Sequence, residues 1–179
     1  MAELFSSVED LVAILERPKR LVAPCLWVAP GKNGQRGLKL KASLRDETAA
    51  LRGVAIEIGC SAEGFDLPIH VVLLADFRNK PRAMARIDIN GPTHVNRYAI
   101  CAEWLHQDAG ATHFHDTRLH RKLTVEELFS GNWDLPVARP LGDIPKDFYD
   151  AMEKCGELLH IENLTEIEEP QWQPRRLHF

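Results

Sequence analysis

The chain has 179 residues, 45% of them hydrophobic and 27% charged, which suits one globular domain with a core of its own. Its net charge of −4, counted with histidine neutral, excludes a broad grip on nucleic acid but leaves room for a local basic site. The four cysteines, Cys25, Cys60, Cys101 and Cys155, form no CxxC pair, which argues against a cysteine-built zinc site and for reduced thiols.

The N-terminal segment "MAELFSSVEDLVAILER" carries acids where a secretory signal would carry bases. No apolar run approaches the ~20 residues that span a bilayer. The expectation is a cytoplasmic protein with no membrane partner. Within this segment, residues 7–17 read as an amphipathic helix. Ser7 and Asp10 are spaced as a capping box, Val8, Leu11, Val12 and Leu15 recur on one face, and Pro18 ends it.

Glycine and proline mark 29–37 as a loop. From Leu38 to Leu44 the residues alternate apolar and polar, as in a half-buried strand. Residues 54–62 and 67–77 read as further strands, and the apolar run "VVLLA" places the second of these centrally. Residues 82–90 alternate most clearly, with Ala83, Ala85, Ile87 and Ile89 on one face and Arg82, Met84, Arg86, Asp88 and Asn90 on the other. Residues 98–106 fit strand or helix equally. "ATHFHDT" (111–117) reads as a strand. Two helices follow. Residues 124–131 have Thr124 and Glu127 as a second capping box and Gly131 as a stop. Residues 144–161, with Asp143 near their start, carry an apolar stripe of Phe148, Ala151, Met152, Cys155 and Leu159. The whole predicts a single α+β domain over residues 1–165. It has a mostly antiparallel sheet of about five to six strands, an N-terminal helix and two C-terminal helices, followed by a tail over 166–179 that is docked or partly disordered.

Three of the eight histidines lie within "THFHDTRLH": His113, His115 and His120. On a strand His113 and His115 share a face. Three readings fit this HxH. It is a polar strand whose histidines bond to carboxylates, a general acid and base, or two ligands of a divalent metal. Asp88, His94, His106, Asp116 and His120 are the available partners, and a metal set would be His113, His115 and Asp88. Arg86 and Asp88 share a strand face. They either pair with each other or join the histidines, where Arg86 would grip a phosphate or carboxylate and Asp88 would orient an imidazole. His94 follows a Gly-Pro turn and is either a solvated loop residue or a site residue. His70 reads as a core or edge histidine, and His160, at a helix C-terminus, as a favoured cation. There is no P-loop, GxGxxG or GxSxG, and no cofactor is expected beyond a divalent metal.

The order "RIDINGPTHVN … GATHFHD" resembles a family of small bacterial and prophage proteins. Its pattern is an R-x-D strand, a Gly-Pro-x-His-x-Asn turn and a Gly-x-His-x-His strand. Arg86, Asp88, Gly91, Pro92, His94, Asn96, Gly110, His113 and His115 carry it here. Ala111 and Thr112 depart from the closer Gly–His spacing of the pattern. The family implies no activity. A looser resemblance to TumE-type toxins of toxin–antitoxin pairs implies a toxin acting on RNA or translation. The resulting expectation is a phosphodiesterase acting on RNA through His113, His115, His94, Arg86 and Asp88, with an antitoxin or host factor as its protein partner. The alternative is a non-enzymatic inhibitor that binds a host protein through its acidic C-terminal region and Trp172.

Overall fold

Ser7 starts helix α1 (Val8–Glu16) by the expected capping box. Its hydroxyl accepts from the Asp10 amide at 3.1 Å, and the Asp10 carboxylate accepts from the Ser7 amide at 2.9 Å. The computed structural model in which this is seen describes residues 5–29, 37–129 and 135–172. The expected loop at 29–37 lies, apart from its two ends, outside the described residues, as do Gly131 and residues 173–179. At its other end α1 is closed by Lys19. The buried ammonium donates to the carbonyls of Ile14, Leu15 and Arg17 at 2.8, 2.8 and 2.6 Å. These carbonyls have no partner inside the helix.

The chain then builds one antiparallel sheet in which every strand pairs with the next: β1 (Arg20–Leu21), β2 (Gly37–Arg45), β3 (Ala50–Ser61), β4 (Ile69–Phe77), β5 (Lys80–Ile89), β6 (His113–Asp116) and β7 (Arg139–Pro140). The sheet has seven strands, against the five to six expected. The extra ones are two-residue edge strands, too short to show a period. Residues 98–106 form neither strand nor α-helix but a loop with a 3-10 turn at Ala102–Trp104.

One face of the sheet is apolar: Leu40, Ile56, Ile58, Val71, Leu73, Ile87 and Phe114 are fully buried there. Against it pack α1 and α3 (Phe148–Leu159), the latter through the expected stripe. Helix α3 starts at Asp147, whose carboxylate accepts from the Asp150 amide at 2.9 Å, later in the chain than residue 144. The short helix α2 (Val125–Phe129) begins at the Thr124–Glu127 box. A bulge in β5 breaks the alternation expected there. Leu73 pairs with Ala85 but Leu74 with Ala83, so Met84 is the extra residue and turns into the core. Beyond α3, Ile167 is buried in the core and Trp172 packs on Phe148, its ring centroid 6.4 Å away. Trp172, read as a partner-facing residue, is thus engaged with its own domain. Among the described residues no helix is long and apolar enough to cross a membrane.

The opposite face of the sheet is polar, and strand register decides which of its side chains meet. Directly opposed residues of an antiparallel pair share a face. One row reads Lys39, Gly59, His70, Asp88, His113 across β2 to β6, and the next reads Lys41, Glu57, Val72, Arg86, His115.

Candidate functional site

Asp88, Arg86, His113 and His115 therefore form a square on two neighbouring strands. Asp88 lies opposite His113 and Arg86 opposite His115. The loop between β5 and β6 folds back over this square. Val95 bridges Asp108, the His94 amide donates to Gly110 O at 3.2 Å, and His94 O accepts from the Ala109 amide at 2.7 Å. This clamp brings the His94 ring to 5.3 Å from His113 and 4.8 Å from His115, centroid to centroid. All five candidates come together, and the cover leaves His113 and His115 with side chains only 4% and 0% exposed.

Each imidazole is fixed by a backbone carbonyl. His113 Nδ1 donates to Gly110 O at 2.8 Å, His115 Nδ1 to Leu135 O at 2.5 Å, and His94 Nε2 to Pro136 O at 3.1 Å. A neutral imidazole has a single N–H, so each remaining nitrogen is an acceptor. One ligand atom from each of the three rings lies within 4.8 Å of the others. Two nitrogens on one zinc ion stand at most ~4.2 Å apart, and ~3.4 Å in a tetrahedron, so an ion would draw the widest pair in by roughly 1 Å. A carbonyl behind each ring is the usual way to orient a metal-binding histidine.

Asp88 is the hub. Its Oδ2 accepts from Arg86 Nε at 2.9 Å and lies 3.2 Å from His113 Nε2 and 3.5 Å from His115 Nε2, while its Oδ1 accepts from His70 Nδ1. Burial works against its charge, but the His113 and His70 imidazoles and the Arg86 guanidinium around it outweigh that cost and hold the carboxyl well below the usual range. Both nitrogens of His113 face oxygen atoms, Gly110 O at 2.8 Å and Asp88 Oδ2 at 3.2 Å. Arg86 Nη2 donates to His115 Nε2 at 2.8 Å. Burial, with the Arg86 charge nearby, pushes the His115 imidazole down to about 4, so it is neutral at pH 7. Burial lowers His94 as well. Asp88, its oxygens engaged by His70 and Arg86, stays within 3.5 Å of both strand histidines, and His94 joins His113 and His115 as a third imidazole that could hold an ion.

The remaining candidates lie elsewhere. Asp116 is on the core face, opposite Ala85, and caps the next turn by accepting from the Arg118 amide at 2.6 Å. His120 is buried between Asp116 O and the Val137 amide. His106 is an exposed loop residue, and Val95 and Asp108 separate its turn from the square. Burial and the nearby Lys19 and Arg118 lower His160, so the helix C-terminus does not make it a favoured cation. A cleft of about 440 Å³ beside α3 is lined by Glu153, Glu157 and His160, and none of the site residues borders it.

Compared with known protein families, curated proteins and solved structures, the chain matches none.

Sequence reasoning missed two sets of residues. The first is the strip 135–138, which supplies two of the three carbonyls. It is held by Asn96, whose side chain donates to Ala138 O and accepts from the Ala138 amide, both at 2.7 Å. Leu135 has φ +50°, an uncommon backbone state for a bulky residue, and its carbonyl is the one His115 uses. Nothing in "LPVA" announces this role, because it is played by backbone. The second is His70. It sits in an apolar run and reads as a core or edge histidine, and its ring is on the polar face with a side chain 47% exposed. Its spacing from "RID" carries no signal, since only strand pairing sets it opposite Asp88.

Proposed function

We propose that the protein is a metal-dependent phosphodiesterase that cleaves RNA on the polar face of its sheet. The observation that carries this reading is the convergence of three imidazole nitrogens, each ring held from behind by a carbonyl. His94, His113 and His115 would hold a divalent ion with positions left open. A three-histidine set of this kind serves catalysis better than pure structure, because it leaves room for substrate. When bound, the ion acts as a Lewis acid on a phosphoryl oxygen. Arg86, 22% exposed at the rim, grips the phosphate, and Asp88 keeps Arg86 in place. Lys41 adds positive charge on the same face toward β2, where Lys39 is paired with Glu57 at 2.7 Å.

The metal-free alternative, in which the histidines and Arg86 act alone, is favoured by one contact, the Arg86 donation to His115 Nε2 that an ion would have to displace. The resemblance to TumE-type toxins supports RNA as substrate and a protein antitoxin as partner.

The test is cleavage of a mixed pool of labelled RNA by wild type and by the His113→Ala/His115→Ala double variant, with chelator and with metal added back. Cleavage that chelator abolishes, that metal restores and that the folded variant lacks supports the reading. Cleavage indifferent to chelator moves the mechanism to the metal-free set. No cleavage by the metal-loaded wild type refutes both.

A further inference from the structure

We propose that His70 is the general base of this reaction, a catalytic residue set outside the histidine cluster and oriented by Asp88. The inference rests on the phosphodiesterase reading and adds to it the group that moves the proton.

Three features single out His70. It lies on β4 directly opposite Asp88, on the face that carries Arg86, His113 and His115. Its Nδ1 donates to Asp88 Oδ1, which fixes the tautomer and leaves the lone pair on Nε2. Its side chain is 47% exposed, against 4% for His113 and 0% for His115. A buried carboxylate behind an exposed imidazole is the arrangement that holds a base in one tautomer and stabilises the imidazolium that forms. Asp88 is 7% exposed and binds both His70 and Arg86, so one carboxylate sets the position of the base and of the phosphate grip. His70 and Arg86 are diagonal neighbours on paired strands, a relation that separates Cα atoms by about 7–8 Å. A phosphate held by the Arg86 guanidinium thus has its neighbouring ribose hydroxyl within reach of His70.

In the cleavage step His70 Nε2 takes the proton of the 2′-hydroxyl while the O2′–P bond forms and the P–O5′ bond breaks. The leaving 5′-oxygen takes a proton from water, and the His70 imidazolium returns its proton to solvent. The products are a 2′,3′-cyclic phosphate and a 5′-hydroxyl end, and DNA is not a substrate.

The experiment uses the full chain, loaded with zinc, and an oligonucleotide that contains a single ribonucleotide. The variants are His70→Ala and His70→Asn, and kcat, KM, zinc affinity and the melting midpoint are measured for each. The expected result is a 10²–10⁴-fold fall in kcat, the usual weight of a general base, with KM and zinc affinity within about threefold and an unchanged midpoint. A fall below tenfold in either variant overturns the proposal. So does a loss of activity that is matched by a loss of zinc affinity, since His70 would then act only by supporting the cluster. Wild type that cleaves while the His70 variants cleave equally well overturns this inference alone. Wild type that does not cleave overturns the phosphodiesterase reading and this inference together.

Discussion

Acid will destabilise the chelator-treated protein through His115. The ring is fully buried, donates Nδ1–H to Leu135 O and stands beside Arg86, and its imidazole is pushed from 6.5 down to about 4. A folded-state value below the unfolded one means that the unfolded chain takes up the proton first. Stability is at its full value above pH 6.5 and falls as pH drops from 6.5 toward 4. The loss from this one group is roughly 3 kcal/mol, at ~1.36 kcal/mol per pH unit. With no exposure of the ring, solvent screening takes little away, and the loss is a large share of a typical ~5–15 kcal/mol stability. His94 and His120 are lowered in the same direction by burial, so the measurement must isolate His115. Urea unfolding at several pH values between 7 and 4.5 is compared for wild type and for His115→Gln, whose amide can still donate to Leu135 O. The wild-type free energy should fall by about 2–3 kcal/mol more than that of the variant over this range. Parallel curves would show that His115 is not the buried neutral group described, and the account of the site electrostatics would fail.

Three further outcomes are expected. Asp88→Asn strands the Arg86 guanidinium and frees the His70 ring, so urea unfolding at pH 7 should show about 2–4 kcal/mol less stability, and no measurable RNA cleavage should remain. Zinc at a hundred times its dissociation constant should stabilise wild type by about 2.7 kcal/mol, and a His94→Ala/His113→Ala variant should show no shift in a thermal melt. Lys19→Met removes the donor from three helix-end carbonyls, and circular dichroism melting should report a loss of roughly 2–3 kcal/mol.

The elements of the fold are legible wherever a period runs long enough to be counted. Alternation marks β2 and β5, helical spacing marks α1 and α3, and Ser7 and Thr124 mark helix starts, because caps and periods are local relations between residues a few positions apart. Two-residue strands carry no such relation, and a bulge erases it, which is why simple alternation puts Met84 on the wrong face.

By itself the sequence determined the chemistry available: which imidazoles share a strand, and that Arg86 and Asp88 share another. Tertiary structure decided whether those groups meet. Pairing of β5 with β6 set Asp88 opposite His113, pairing of β4 with β5 brought in His70, and the backbone of 135–138 fixed two rings. Strand register between residues 18 to 29 positions apart, from His70–Asp88 to Arg86–His115, is set by burial of the whole apolar face, which a one-residue slip would turn to solvent. No local stretch of sequence holds that information, because the energy that selects the register belongs to the assembled core.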